Sequence, residues 1–248
     1  MSAPRKKFVQ FQPSALRSAE ECERYYSEVH TVWAMQALRD APSLVSYETN
    51  LVERQWDLLG GLDQPPDQWR FAVLRETGDA PMFTPSQGRV LAHDHQVFLR
   101  DLRRFDVEET VRFDRSSRSL AAAKYLLVLD RPDDLGPTEA ASAFESLLAG
   151  LVTGLREAQG ARRLVANVVV AERGSAPGRE PGQIPTDETL PTRRLGFVEL
   201  WFDDRVWGRE HLGSQPVRRL LTDSPFAPDR LVGYEVAERV AHDRRPPA

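Results

Sequence analysis

His30 is the side chain best suited to exchange a proton at neutral pH, because an imidazole has an unperturbed pKa of about 6.5. Tyr26 lies four residues before it and Trp33 three after it, so on a helix all three share one side. That spacing would give the imidazole a phenol within hydrogen-bond reach and an aromatic wall. A helix-edge histidine satisfied by a backbone carbonyl is the plain alternative. His93, Asp94 and His95 invite a metal reading, since imidazole and carboxylate bind zinc or iron well. Neighbouring helix residues point about 100° apart, however, so His93 and His95 diverge and no metal site is expected. Glu199 alternates with Phe197 and Trp201, which places all three on one face of a strand. A carboxylate among aromatic rings has its pKa raised by desolvation and could serve as general acid or base; pairing with an Arg across the sheet is the alternative. Tyr47 and Asn50 lie on another strand, where either could donate a hydrogen bond to a substrate carbonyl.

The elements that must position these groups can be read from pattern. Residues 7–12 read as a strand, and Ser18 with Glu21 has the spacing of a capping box for a helix over 19–39, which Pro42 stops. Cys22, Tyr26, Val29, Trp33 and Ala37 recur at three- and four-residue steps, predicting a buried stripe with His30 on its edge. Strands follow at 44–53 and 69–76, then a helix over 86–102 and an alternating strand over 105–113. Arg100, Arg103 and Arg104, mixed with Asp101 and Asp106, read as a solvated face. Residues 114–121 are polar and aperiodic, the natural linker.

The order then repeats: strand 123–130, helix 138–158, strand 162–172, strand 195–203, a short helix near 205–212 running irregularly to Leu221, and strand 230–240. The loops 54–68 and 173–193 are long enough to act as lids. Matched positions drift from an offset of 117 (Phe8 to Tyr125) to 129 (Asp94 to Asp223), mostly between the second and third strands. Loop insertions of that kind cost little closure entropy. The helix of the second copy carries Phe144, Leu147, Leu148, Leu151 and Leu155 and no histidine. The expected architecture is therefore α+β: two tandem β-α-β-β-α-β units, 1–117 bearing the site and 118–248 mainly structural, with a disordered tail from about 243. A four-stranded sheet with helices on one face must cover the other, and packing the two sheets together does this within one chain.

Composition narrows the function classes. With 41% apolar residues a 248-residue chain can bury a sizeable core. A formal charge of −4 with interspersed signs gives no footprint for nucleic acid. No apolar run reaches the roughly 20 residues of a membrane span, and MSAPRKKFVQF enters a strand without a signal-like apolar stretch, so a cytoplasmic protein with no membrane partner is expected. The single Cys22 excludes an intrachain disulfide framework and cysteine-cluster metal sites, and on the buried stripe it reads as core. Phosphate cradles, dinucleotide fingerprints and serine elbows are absent.

Glu23, Tyr25, Tyr26 and His30, followed by Leu44, Tyr47 and Asn50, resemble the first helix and second strand of the EthD-like branch of the dimeric α+β barrel superfamily. LAHDHQVFLRDL, with Asp94 four residues before Phe98, is similar to a later segment of that family, and VELWFDD at 198–204 to its E-L-W-F strand. The chain departs from the family in having Thr31-Val32-Trp33 where a proline often follows the histidine, and the second copy lacks the Tyr-Tyr and His positions. The resemblance implies tandem ferredoxin-like units packed sheet to sheet, with a pocket between sheet and helices for small hydrophobic or aromatic molecules. It also implies a site role for Asp94, either orienting His30 or capping a turn.

These readings converge on a cofactor-independent enzyme acting by proton transfer on an aromatic or polyketide-like intermediate, cyclase or lyase in type. Cofactor-free monooxygenation or non-catalytic ligand binding on the same barrel are the rivals. His30 would move the proton, Tyr26 or Asp94 would position it, and Trp33 would wall the pocket. Tyr47, Asn50, His93, Glu199 and Trp201 complete the candidate substrate contacts. The expected partner is a small hydrophobic substrate, and the expected state a monomer with an internal pseudo-dimer, or a homodimer.

Overall fold

The computed structural model describes residues 4–39, 41–56, 63–64, 66, 68–78, 83–115, 121, 123–174, 188–227 and 230–245. Ser18 accepts from the Glu21 amide, and the Glu21 carboxylate accepts in return from the Ser18 amide at 2.8 Å, so the expected capping box opens the first helix. The elements run β1 (Arg5–Pro13), α1 (Ala19–Tyr25), a π-helical turn (Tyr26–His30), α2 (Thr31–Arg39), β2 (Leu44–Trp56), β3 (Asp63–Gln64), β4 (Arg70–Glu76), α3 (Pro85–Phe98) and β5 (Leu99–Asp114). They continue with β6 (Ala123–Asp130), α4 (Pro137–Glu157), β7 (Ala161–Gly174), β8 (Glu188–Leu190), β9 (Arg194–Phe202), α5 (Arg205–Gly213), α6 (Gln215–Thr222) and β10 (Leu231–Asp243).

All eight expected strands are present, and they close on themselves. The order is β10-β6-β9-β7-β5-β1-β4-β2, and β2 pairs back onto β10, every pairing antiparallel. Residues 5–114 contribute β5-β1-β4-β2 and residues 123–243 contribute β10-β6-β9-β7, the same order of fourth, first, third and second strand in each set. The seams are β5 on β7 and β2 on β10. Closure leaves the eight strands no open edge.

Strand alternation then divides the apolar residues into three cores. Phe8, Phe71, Phe105, Phe197 and Tyr234 fill the lumen. Val9, Phe11, Tyr47 and Ala72 face the other way, under α1–α3. Tyr125, Val198, Leu200 and Phe202 lie under α4–α6, against the Phe144, Leu147, Leu148, Leu151 and Leu155 stripe that the sequence predicts.

Four expectations need correcting. The buried stripe of the first helical segment is Cys22, Tyr26, His30, Ala34 and Leu38, whereas Val29 is 46% exposed and Trp33 and Ala37 are only half-buried. The cause is the π turn, whose extra residue shifts the helical phase by one position, so the stripe read through Val29, Trp33 and Ala37 rotates outward. The helix expected over 86–102 ends at Phe98; Leu99–Leu102 already belong to β5, pairing with Phe11–Pro13 of β1. Phe98, Leu99 and Leu102 suit either element, which is why periodicity misplaces the boundary, and Arg103 and Arg104 accordingly sit on a strand and not on a solvated helix face. Pro216 opens a new helix, where its missing N–H costs nothing. Finally, the chain is anchored past 243: the Arg244 amide donates to the Val45 carbonyl at 2.8 Å, and Arg245 reaches Glu48 at 3.1 Å. The rest of the expected tail, 246–248, lies outside the described residues, as do most of the linker at 116–120 and the centres of both long loops, 57–62 and 175–187.

Candidate functional site

The π turn delivers the site's first group. Both the Thr31 amide and, at 2.7 Å, the Thr31 hydroxyl donate to the Tyr26 carbonyl, which closes the wide turn and brings His30 onto the buried stripe. Across from it, α3 starts on its own capping box at Thr84 and Gln87 and presents Asp94. His30 Nδ1 lies 2.5 Å from Asp94 Oδ2, and the Tyr25 hydroxyl donates to Asp94 Oδ1 at 2.8 Å. Burial alone would raise the Asp94 carboxyl, but the hydrogen bonds from His30 and Tyr25 and the charges of His30 and His95 hold it below its ordinary value. Asp94 is thus a carboxylate at neutral pH and can only accept, so His30 donates from Nδ1–H, and Nε2 is the ring nitrogen that Asp94 does not engage.

A second chain of contacts runs from the opposite side. The Tyr26 and Tyr47 hydroxyls lie 3.0 Å apart, and the Arg70 guanidinium stacks over the Tyr26 ring with its carbon 4.1 Å from the centroid. Arg70 is held by both oxygens of Glu23, at 2.7 and 2.6 Å, and Glu23 also accepts from the Trp69 indole at 3.0 Å. Burial, and after it the neighbouring Tyr26, pushes the Tyr47 phenol well above its ordinary value, so it stays a proton donor across the usual pH range.

The two chains converge on a cavity of about 170 Å³ between the outer face of the barrel and helices α2 and α3. His30 and Tyr47 both line it, as do the apolar side chains of Val9, Phe11, Leu38 and Ala72. His95 adds a second imidazole, its ring centroid 5.2 Å from that of His30. Tyr26 and Asp94 stand one contact behind the lining, each touching it through a partner. Among the described residues, no group of three or more His, Cys, Asp or Glu side chains is placed to hold a metal ion.

The remaining candidates fall elsewhere. Trp33 is half-buried and does not line the cavity, because the phase shift turns it aside. His93 is exposed on the far side of α3; His95, four residues after the lining residue Leu91, takes the place expected of it. Asn50, Glu199 and Trp201 point into the lumen, with the sheet between them and the cavity. Phe197, Glu199 and Trp201 do share a face, but Glu199 is ion-paired there: it contacts Lys6 and, at 2.8 Å, Lys124, and accepts from Asn167 at 3.1 Å. Lys6 also pairs with Glu109, Lys124 with Glu238 at 2.7 Å, and Arg75 with Glu48 at 2.9 Å. Burial would raise the Glu199 carboxyl, but Lys124, Lys6 and Arg75 outweigh it and hold it well below the carboxylate range. Cys22 is core, fully buried.

Sequence reasoning left Tyr25, His95 and Arg70 without roles. The spacing of Leu91 and His95 on one helical face was an available signal for His95, whereas Tyr25, about 100° from Tyr26 around the helix, lies off the buried stripe and carries no such signal.

No family model matches this chain, and no curated protein does. Solved structures do. An anthrone oxidase-like protein aligns over 100% of this chain and 97% of its own, at 11% identity with a TM-score of 0.55. A monooxygenase candidate from Fusobacterium nucleatum aligns over 97% of this chain and 94% of its own, at 9% identity and 0.51. Identities this low carry the fold and not the activity. With the closed antiparallel order of eight strands and the helices outside it, they show that the chain has the fold of the dimeric α+β barrel superfamily.

Proposed function

We propose that this chain is a cofactor-independent enzyme that moves a proton on a small aromatic or polyketide-like carbonyl compound bound in the His30 cavity, with cyclase or lyase chemistry as its outcome. It is read as two ferredoxin-like units in tandem, 1–117 and 118–248, the first bearing the site. The observation that carries the reading is the His30–Asp94 pair opening, together with Tyr47, onto an apolar cavity. In this scheme His30 Nε2 removes the proton from the carbon beside the carbonyl, and the Tyr47 hydroxyl donates to the carbonyl oxygen as negative charge develops there. Asp94 stabilises the imidazolium that forms, and the apolar walls keep water from quenching the carbanion. The carbanion then attacks an electrophilic carbon of the same molecule, or expels a leaving group, and the imidazolium returns the proton to the oxygen or leaving group that has gained the electrons.

Monooxygenation is the second reading, favoured by the two aligned neighbours, an anthrone oxidase-like protein and a monooxygenase candidate. There the same carbanion would react with dioxygen, so the proton abstraction is shared and oxygen consumption separates the outcomes. The common step is tested with phenylacetone in D2O, following loss of its benzylic protons by NMR. The chain should accelerate exchange over buffer, and His30→Asn should remove about 10²–10⁴ of that acceleration. Exchange that survives His30→Asn in folded protein would sink the assignment.

A further inference from the structure

Arg70 and Glu23 form an ion pair behind Tyr26, and neither lines the cavity. Alternation along β4 turns Arg70 to the same face as Ala72 and Leu74, where its side chain is only 4% exposed. Both Glu23 oxygens accept from its Nη2, and the Trp69 indole donates to the same carboxylate. The charge is thus paired at the edge of the guanidinium. Its flat face is given to the Tyr26 ring, with the guanidinium carbon 4.1 Å from the centroid.

The Tyr26 ring itself has little freedom. Besides Arg70 it packs on His30, Trp69, Phe98 and Phe11, at centroid distances of 5.1 to 6.1 Å. What packing leaves undecided is the direction of its O–H. The Tyr26 and Tyr47 hydroxyls lie 3.0 Å apart, and on that geometry either can donate to the other. The choice matters because Tyr47 has a single proton. If Tyr47 donates to Tyr26, that proton is spent inside the wall; if Tyr26 donates to Tyr47, it is left for the cavity that Tyr47 lines.

The more acidic phenol of such a pair is the better donor. Burial pushes both hydroxyls up, Tyr47 well above its ordinary value. Arg70 is the largest influence pulling Tyr26 back, ahead of the opposing one of Glu23, whereas on Tyr47 it counts for less than Tyr26 does. The cation on its face makes Tyr26 the stronger acid of the two.

We propose that Arg70, fixed by Glu23, is a positioning residue that makes Tyr26 the donor in the Tyr26–Tyr47 hydrogen bond, so that the one Tyr47 proton is directed at a carbonyl oxygen in the cavity. This inference rests on the reading of Tyr47 as the donor to the substrate carbonyl. Arg70 touches no reacting atom and acts through Tyr26.

The test reads acetophenone labelled with carbon-13 at its carbonyl, bound to the full chain, by NMR, because a hydrogen bond to the oxygen moves that resonance downfield. The bound resonance should lie downfield of its position in Tyr47→Phe, which lacks the donor. Arg70→Met should move it part of the way to the Tyr47→Phe position, and in the phenylacetone exchange assay should lower kcat about three- to tenfold with KM within about twofold. Because Arg70 acts through Tyr26, the double variant Tyr26→Phe, Arg70→Met should lose no more than the larger single loss, within about twofold. If Arg70→Met does not fold, Arg70→Lys, which keeps a cation without the planar face, should shift the resonance the same way to a smaller extent. Losses that multiply in the double variant, or a change confined to KM, overturn the proposal. A bound resonance that depends on Tyr47 and not on Arg70 would refute this proposal alone, and dependence on both without accelerated exchange would refute the proton-transfer reading alone.

Discussion

Asp94 Oδ2 sits 2.5 Å from His30 Nδ1 although the two residues are 64 positions apart in the chain. The carboxylate fixes the tautomer and orientation of the ring and leaves a single nitrogen to do chemistry. Replacing it should therefore lower kcat more than it changes KM. For Asp94→Asn the expected loss is about 10²–10⁴ in kcat, read from steady-state kinetics or the exchange assay. A change confined to KM would show that Asp94 contacts the ligand and not the base.

The same pair gives stability a definite pH dependence. The Asp94 carboxyl is held below its ordinary value, so its contribution is complete above the unfolded value of about 3.9 and fades as pH falls through the lower, folded one. Urea denaturation at pH 3 and pH 7 should show a smaller loss on acidification in Asp94→Asn than in the unaltered chain. An unchanged acid slope would contradict the pairing.

Tyr25 acts on the base only through Asp94. Its own hydroxyl is pushed up to about 12, by burial first and then by Asp94, so it stays protonated at working pH and contributes no alkaline limb. Tyr25→Phe removes a donor from the carboxylate, so the Asp94 pKa should rise and the acid limb of kcat/KM should move to higher pH, with a loss of roughly 3–10-fold near neutrality. A pH profile of kcat/KM reads both.

The two tyrosines joined at 3.0 Å should behave differently, because only Tyr47 lines the cavity. Tyr47→Phe removes a donor from the developing oxyanion and should cost about 10²-fold or more in kcat, whereas Tyr26→Phe should cost about tenfold or less. Equal effects would place Tyr26 against the substrate.

Glu199→Gln should affect stability and spare the chemistry. The substitution leaves Lys6 and Lys124 buried with one compensating charge fewer, at a cost of about 3–5 kcal/mol in urea denaturation. Exchange per folded molecule should not change, since the sheet separates Glu199 from the cavity. A large drop in exchange at full folding would return Glu199 to the site.

Much of this was legible in the chain. The eight strands, the capping box at Ser18 and Glu21, the Leu-rich α4 and Tyr47 as a candidate contact could be read from pattern or resemblance, while for Asp94 the chain leaves a choice between orienting His30 and capping a turn. What pattern could not supply was the occupant of each face. Alternation puts Glu199 and Trp201 on one side of β9 but does not say whether a cavity, solvent or another strand's lysine lies there. Closure through β2 and β10 decides that, and it makes the face a lumen. Likewise an ideal helical wheel places Val29 and Trp33 inside, and only the extra residue in the Tyr26–His30 turn reveals that His30 and Ala34 replace them.

That turn makes the site depend on chain length as well as on residue type. The Tyr26–His30 turn holds one residue more than an α-helical turn, so removing one residue between them would let the segment relax into regular α-helix with His30, Ala34 and Leu38 still on the buried face. Adding a residue there would instead swing every side chain after it by about 100°, so His30 would leave Asp94 with each of its atoms intact, and an insertion should silence the site as thoroughly as the loss of the imidazole itself.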